Sequence, residues 1–248
     1  MTVSATVLDE IERAVARGWP ATETEVIDGW LARAASGGSV RANTVAALDY
    51  HGTDLDRSLA RVVAFYRARG ATPRFTVAAA SQPAGLDVAL ERRGWKQHGA
   101  HVTMTMPVRA IPREAPGIEH LACPEPGWID CYLNGLSPDR RGPAPEIIAR
   151  VPQPRRLFAV RRAGRIVACG LSVLDRGLAS VQCMATLPDA RRTGAASAIL
   201  GAIETYALTA SARTLYLQTD ANNAAALTLY ERSGFTIADR YHTRVLVG

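Results

Sequence analysis

Two short segments that lie 140 residues apart share one pattern, and this repeat constrains the fold more than any other feature of the sequence. LERRGW, residues 90–95, aligns without gaps on YERSGF, residues 230–235. The same offset places the strand-like run FTVAA on LYLQT, and Tyr66 on Tyr206. Predicted strands fall on strands and helices on helices over about 50 positions, so we interpret the chain as one unit present twice. The identities are few, and a chance resemblance is the alternative.

The length agrees with two units. A chain of 248 residues accommodates two domains of roughly 110–140 residues, and its 48% of hydrophobic residues is enough for a core in each. Residues 109–117, RAIPREAPG, hold two prolines and mixed charge, which is typical of a linker. The predicted domains are therefore 1–110 and 111–248.

Hydrophobic patterns in both halves alternate between helices and strands. VLDEIERAVARGWP predicts an N-terminal helix, and GWLARAASGG with RANTVAAL predicts two strands joined by a glycine turn. RLFAVRRAGRIVACGLSVL predicts a hairpin around Ala163-Gly164, and LASVQCMATLP predicts one further strand. This alternation predicts an α/β (α+β) fold, with a mixed central sheet flanked by helices in each half.

Composition argues against several classes of protein. The sequence shows no leader pattern and no run of about 18 apolar residues, which predicts a soluble cytoplasmic protein without a membrane span. Cys123, Cys131, Cys169 and Cys183 form no C-x-x-C pair, so we expect buried reduced thiols. The five histidines are scattered, which predicts no metal site. The net charge of +6 is spread along the chain. Binding to nucleic acid requires basic residues concentrated in a stripe, so we expect no nucleic-acid partner.

Residues 186–204, TLPDARRTGAASAILGAIE, carry the strongest signal for chemistry. A predicted strand leads into the loop RRTGAA, residues 191–196, and a predicted helix follows. Small residues let the backbone approach a ligand closely, and the free N–H groups of a helix N-terminus favour a phosphate. A neighbouring arginine adds a charge-assisted contact. The pattern alone also fits an ordinary helix start that packs closely on a sheet.

Three features in sequence make the second half resemble the GCN5-related N-acetyltransferase (GNAT) superfamily. The R-x-x-G-x-A pattern at 191–196 is similar to the acetyl-CoA pyrophosphate loop of that family. Asn223 then opens a helix after the next strand. That helix runs through LYE, residues 229–231, to Gly234-Phe235, similar to the family signature N-x-x-A…LYE-x-x-GF with Ala226 in the alanine position. The resemblance covers residues 113–248 well and residues 1–110 faintly.

The resemblance implies tandem GNAT folds, an N-acetyltransferase activity and acetyl-CoA as co-substrate without a metal. Backbone groups of Met184, Ala185 and Thr186 would bind the pantetheine arm and polarise the thioester carbonyl. The residues that would hold the pyrophosphate are Arg191, Arg192, Thr193, Gly194, Ala195 and Ala196. Asn223 would cap its helix and contact the cofactor. Tyr230 would protonate the sulfur of the leaving CoA, with packing against Phe235 as the alternative role.

The acceptor implied by the resemblance is a primary amine of a small molecule or a peptide, which attacks directly. The amine must lose a proton, and no base is identified. Gln182 and Cys183 lie on the expected strand but are poor bases. The candidates in principle are His242, Asp175 and Glu204.

Several aromatic and polar residues are candidates for the wall of the acceptor site, with core or turn positions as the alternative. They are Trp30, Arg41 and Asn43 in the first half, and Trp128 and Tyr132 in the second.

The first half has lost the residues that would touch acetyl-CoA. At the aligned positions Asp54 and Asp56 replace the glycine and the last alanine of the loop, and Leu90 replaces the tyrosine. Two carboxylates repel a pyrophosphate, and an aspartate lacks the conformational freedom of glycine. The first half is thus predicted to be a degenerate GNAT fold without cofactor.

The sequence leaves two points open, the function of the cofactor site and the oligomeric state. A non-catalytic module that senses acetyl-CoA is the alternative function. The tandem arrangement replaces a contact that single-domain relatives make by dimerising, so both a monomer and a homodimer are compatible with the sequence.

Overall fold

The computed structural model describes residues 4–37, 39–109 and 117–247, and these divide into two compact units. Unit 1 comprises Met1–Thr103, Gln218–Asn223 and Ile237–Gly248, and unit 2 comprises Met104–Leu217 and Ala224–Thr236. The interior of the predicted linker, with the predicted boundary at residue 110, lies outside the described residues. The end of the chain belongs to unit 1, so each unit is built from more than one segment of sequence.

The helices and strands of the described residues follow in chain order. They are α1 (Ala5–Gly18), β1 (Glu23–Ile27), β2 (Trp30–Ala34), β3 (Val45–Ala46), α2 (Leu55–Arg67), β4 (Arg74–Val77), α3 (Leu86–Arg92), β5 (Lys96–Pro107), β6 (Ile118–Leu121), α4 (Pro126–Asn134), α5 (Pro138–Arg141), α6 (Ala144–Arg150), β7 (Arg155–Arg162), β8 (Arg165–Asp175), β9 (Leu178–Ser180), β10 (Gln182–Thr186), α7 (Ala195–Thr209), β11 (Thr214–Asp220), α8 (Ala224–Ser233) and β12 (Thr236–Val245). No helix in the described ranges is long and apolar enough to cross a bilayer.

Unit 1 is a mixed sheet with the strand order β1–β2–β3–β4–β12–β5. Strands β3 and β4 are parallel, with Val45 opposite Phe75, and β12 runs antiparallel to β4. Helix α2 buries one face because its apolar residues recur at a spacing of three and four. In the core the ring of Phe75 contacts Trp30 and Trp95 edge to face, at centroid distances of 5.0 and 5.3 Å.

Unit 2 has the strand order β11–β9–β8–β7–β6, with β10 paired to β8. Strand β8 is buried almost throughout, as expected for a central strand covered on both faces. Helix α7 packs on β8 at Gly170, where any Cβ would lie 2.5 Å from Cγ2 of Ile199. A glycine is therefore required for this close approach. The predicted α/β class is confirmed.

The two units repeat the same elements at the offset of 140 residues. Helix α2 begins at Leu55 and α7 at Ala195, and β4 begins at Arg74 and β11 at Thr214. Helices α3 and α8 end in the same way, because Gly94 and Gly234 both take positive φ angles, of 83° and 104°. In each case the next residue donates its N–H to a carbonyl five residues earlier, at 3.1 and 3.0 Å. The tandem repeat is confirmed.

Several details differ from the sequence-based prediction, which also did not include the short helix α5. Strands β1 and β6 were not predicted, and β1 is exposed along most of its length, so it has no alternating pattern. The turn predicted between β2 and β3 contains a short 3₁₀ helix, Val40–Ala42. The run LASVQCMATLP is two strands, β9 and β10, that separate at Val181.

Candidate active site

The N-terminus of α7 is open and carries no negative charge of its own. Gly194 occupies the N-cap position at φ 83°, so no side chain caps the helix, and the first turn contains no acidic residue. The first helical bond runs from the N–H of Ala198 to the carbonyl of Gly194, at 2.9 Å. The N–H groups of residues 195–197 therefore lack intrahelical acceptors and form a favourable site for an anion.

The loop before this helix is exposed and held by its own contacts. Arg191, Arg192 and Thr193 are all exposed. The hydroxyl of Thr193 donates to the carbonyl of Ala190 at 2.6 Å, which fixes the turn. Arg192 has a φ of 59°, in the left-handed region. The predicted pyrophosphate loop is thus a solvent-facing turn with two guanidinium groups beside the helix N-terminus.

Strands β10 and β11 part at the predicted pantetheine position. Strand β11 pairs in parallel with β9, and the last bond of this segment runs from the N–H of Val181 to the carbonyl of Tyr216, at 2.8 Å. From Gln182 onward the chain pairs with β8, and the described residues show no pairing of β10 with β11. Met184, Ala185 and Thr186 consequently present one backbone edge outside any described sheet ladder.

A bulge marks the point where the strands part. The register of β10 against β8 shifts between Gln182 and Ala185, and Cys183 has a φ of 52°. The amide nitrogen of Gln182 donates to the hydroxyl of Ser180 at 2.9 Å, whereas its Oε1 is buried without a hydrogen-bond partner in the described part of the chain. Such an atom costs about 1–3 kcal/mol and marks a place where an incoming N–H group is favoured.

A pocket of about 310 Å³ lies within unit 2 and extends from this helix N-terminus. Gly194 and Ser197 of α7, Leu215 of β11, and Arg232 and Phe235 at the end of α8 contribute to its wall. Its volume is at the lower end of the range of small-molecule sites. Unit 2 therefore combines an anion site, a parted pair of strands and a pocket.

Arg109 and Glu204 form a buried ion pair on the wall of this pocket. The guanidinium of Arg109 donates to both carboxylate oxygens of Glu204, and its Nη1 donates to the carbonyl of Ser233 at 3.1 Å. Glu204 is 1% exposed. Because both oxygens are engaged, Glu204 is poorly suited to act as a base. The sequence placed Arg109 in the linker, and no local signal reveals a partner 95 residues away.

Tyr230 lies on α8 and is 7% exposed. Its ring contacts Phe235 edge to face at a centroid distance of 5.9 Å. Asn223 is exposed and directly precedes α8, and its N–H donates to the carbonyl of Asp220 at 3.1 Å. Their positions on α8 and at its start agree with the sequence-based expectation, and their roles stay predictions.

The structure gives the surroundings of the other two candidate bases. His242 belongs to unit 1, where its Nε2 bonds to Asp87 at 2.8 Å. A hydrogen bond from Arg244 holds the pKa of that aspartate below its usual range. Asp175 lies at the end of β8 and is half-buried.

Most residues considered for an acceptor wall are structural. Trp30 and Trp128 are fully buried, and Trp128 donates its indole N–H to the carbonyl of Phe158 at 3.0 Å. The side chain of Asn43 bonds to the backbone of the β2–β3 connection. Core and turn positions, the alternative for these residues, are therefore correct. Arg41 lies over the ring of Trp19 at 5.6 Å.

The corresponding place in unit 1 is filled by the protein itself. Asp54 caps α2, and its Oδ1 accepts a hydrogen bond from the N–H of Arg57 at 3.1 Å. Asp56 is bonded to Arg93 at 2.6 Å. Strands β3 and β4 are paired with one another, whereas their counterparts β10 and β11 are parted. Unit 1 thus offers neither a free helix N-terminus nor a strand opening.

All four cysteines are free thiols. Cys131, Cys169 and Cys183 are buried as predicted, but Cys123 is exposed, so the prediction is wrong for that residue. Within the described ranges no group of three or more histidine, cysteine, aspartate or glutamate side chains is arranged to hold a metal ion.

Comparison with known proteins identifies the family. A family model described as "Probable histone acetyltransferase Rv0428c C-terminal" matches residues 6–244. The uncharacterised N-acetyltransferase YobR of Bacillus subtilis (strain 168) is 28% identical over 246 residues, which cover 95% of this chain and 97% of that one.

Two solved structures share the fold. A GCN5-related N-acetyltransferase from Kribbella flavida matches with a TM-score of 0.69 at 13% identity, covering 100% of this chain and 97% of the other. A tandem GNAT protein from the clavulanic acid biosynthesis pathway matches with a TM-score of 0.59 at 15% identity, covering 77% and 69%. The chain therefore belongs to the family of the probable histone acetyltransferase Rv0428c C-terminal region, has the fold of GCN5-related N-acetyltransferases, and is an acyltransferase.

Proposed function

We propose that the protein transfers the acetyl group of acetyl-CoA to a primary amine. The observation that carries this proposal is the parted pair β10 and β11 beside an uncapped helix N-terminus without acidic residues. The N–H groups of residues 195–197, with Arg191 and Arg192, hold the pyrophosphate. The free backbone edge of residues 184–186 and the unpaired Oε1 of Gln182 hold the amides of the pantetheine arm.

Two groups of the protein have roles in the proposed transfer of the acetyl group. When bound, acetyl-CoA supplies an acetyl group already activated as a thioester, whose C–S bond breaks as the C–N bond to the amine forms. A backbone N–H of β10 stabilises the negative charge that develops on the carbonyl oxygen. The phenol of Tyr230 donates its proton to the departing sulfur, and the proton that the amine loses passes to water, from which the phenol is reprotonated.

The acceptor is an amine of a peptide or of a small molecule. The description of the family model as a probable histone acetyltransferase favours a protein or peptide amine. We also propose that the enzyme acts in the cytoplasm, as a monomer or a homodimer. The four free thiols agree with a reducing compartment.

Calorimetric titration with acetyl-CoA tests the proposal by stoichiometry. We expect one site per chain, lost in Gly194→Asp, because the new carboxylate repels the pyrophosphate. Gly85→Asp is the matched control: Gly85 also N-caps a helix at φ 80°, and at both glycines a Cβ meets nothing within 4 Å. The two variants share the backbone strain and differ only in the site.

Each other outcome has a definite meaning. Two sites per chain would show that unit 1 also binds the cofactor, against its closed strands. No binding to the wild type would refute acetyl-CoA as donor. Binding of acetyl-CoA without turnover of any amine, in a screen of lysine peptides, polyamines and amino acids, would favour the sensor alternative.

A further inference from the structure

A buried thiol contacts the bulge of β10, and the proposed chemistry does not use it. Cys169 lies on the central strand β8 and is 0% exposed. Its Sγ lies 3.5 Å from the carbonyl oxygen of Cys183, the bulge residue with a φ of 52°. Both cysteines belong to unit 2. A side chain of one strand therefore bonds to the backbone of its neighbour, inside a single unit.

The thiol of Cys169 is the donor in this bond. Burial raises the pKa of Cys169 well above the usual range for cysteine, and the neighbouring thiols of Cys131 and Cys183 act in the same direction. The backbone N–H of Ala185 lowers this pKa but has a smaller effect. Cys169 is thus protonated at neutral pH. A thiol is a weak donor, but in a buried site no bulk water competes for the carbonyl.

The bond acts on a backbone conformation that cysteine does not favour. A residue with a side chain is disfavoured at a positive φ angle, and it keeps this conformation only when its surroundings hold it. The ladder with β8 gives little support at Cys183, because its register shifts between Gln182 and Ala185. The thiol of Cys169 therefore favours the bulge over a regular extended strand.

The bulge decides which N–H group of β10 faces the open edge. Ala185 stands opposite Cys169, and the N–H of Leu187 donates to the carbonyl of Val167 at 2.9 Å. Successive residues of an antiparallel strand bond to alternate edges. Since Ala185 and Leu187 face β8, the N–H of Met184 lies at the edge where β10 and β11 part. The thioester of acetyl-CoA is proposed to bind at this edge.

We infer that Cys169 is a positioning residue, which holds the carbonyl of Cys183 and thereby aims the N–H of Met184 at the thioester carbonyl oxygen. This inference rests on the proposed function for the identity of the ligand. A donor stabilises the developing negative charge only from the correct place, so a small displacement of the bulge weakens its effect. Cys169 acts through the backbone of β10 and is not itself catalytic.

Carbon-13 NMR of acetyl-CoA, labelled at the thioester carbonyl and bound to the full chain, tests the inference. In the wild type we expect the carbonyl resonance to move downfield on binding, because a donor to the oxygen withdraws electron density from the carbon. Cys169→Ala should lose at least half of this displacement at saturating acetyl-CoA. Cys169→Ser keeps an O–H donor at the same position and should restore the displacement.

Cys131→Ala is the matched control. Cys131, on α4, is also a buried cysteine, 2% exposed, and its removal leaves the bond from Cys169 to Cys183 in place. This variant should keep the carbonyl resonance of the wild type. Equal resonances in the wild type and Cys169→Ala, or binding to the wild type without a downfield displacement, would overturn the inference. So would an equal loss in both alanine variants, or in Cys169→Ala and Cys169→Ser, because either result would assign the effect to packing.

The protein without ligand gives a second measurement. The Cα resonance of Cys183 reports its backbone conformation, and in Cys169→Ala this resonance should move toward the value of an extended residue. Cys169→Ser and Cys131→Ala should leave it unchanged. Normal acetyl-CoA binding in calorimetry, with an unmoved Cys183 resonance in Cys169→Ala, would overturn the inference alone. A moved Cys183 resonance in a chain whose wild type does not bind acetyl-CoA would support the hold of Cys169 on the bulge and refute the proposed donor.

Discussion

Tyr230 and Leu90 occupy equivalent places in the two units, and this pair shows what a single residue contributes. Both side chains are almost fully buried, at 7% and 0% exposure. The backbone carbonyl of each accepts the same hydrogen bond that ends its helix, at 3.0 and 3.1 Å. Because leucine supports this turn as well as tyrosine, the turn itself does not explain the tyrosine at position 230. The role of its hydroxyl as a proton donor stays a prediction.

Tyr230→Phe should keep the fold and lose activity. We expect kcat to fall about 100-fold, because proton donation by a positioned side chain contributes a factor of this order. Acetyl-CoA affinity, measured by calorimetry, should change little, since the ring and its contact with Phe235 remain. Tyr206→Phe, on α7, is the control and should keep its kcat. An unchanged kcat in Tyr230→Phe would assign Tyr230 to packing.

The ends of the helices and strands show how far secondary structure can be predicted from the sequence. The turns after α3 and α8 were predictable, because Gly94 and Gly234 carry local signals. Helix α7 begins at Ala195, inside the predicted loop 191–196, and the Asp54 cap of α2 was not predicted. The division into β9 and β10 was not predictable, because LASVQCMATLP contains no glycine or proline before its last residue. The bulge inside β10 was equally hidden, because it includes Cys183 in the left-handed conformation, which cysteine does not favour.

Asp54→Ala should destabilise α2 without creating a second cofactor site. Loss of the cap costs about 1 kcal/mol of unfolding free energy, measured by urea denaturation. Acetyl-CoA stoichiometry should stay at one, because β3 and β4 remain paired. Asp54→Asn retains an acceptor for the N–H of Arg57 and is the control, expected to be close to the wild type. A second acetyl-CoA site in Asp54→Ala would mean that this carboxylate alone excludes the cofactor.

At the scale of the whole molecule, the assignment of segments to units was the least predictable feature. The last strand can be predicted from its residue pattern, but the pattern does not indicate which strand it pairs with. Strand β12 pairs with β4 over His242–Val245, and Arg244, 4% exposed, bonds to Asp87 and Glu91 of α3. These contacts join residues about 150 apart.

Removal of residues 237–248 should therefore damage unit 1, although these residues follow directly on unit 2. Strand β4 loses its antiparallel partner, and the buried ion pairs of Arg244 are lost with it. Hydrogen exchange should show loss of amide protection in β4 and retention in β8, the central strand of unit 2. A chain truncated after Leu246 keeps the bond from its N–H to the carbonyl of Pro73 and is the control. Equal loss of protection in β4 and β8 would show that the two units unfold as one; retained protection in β4 would show that β12 is not required for unit 1.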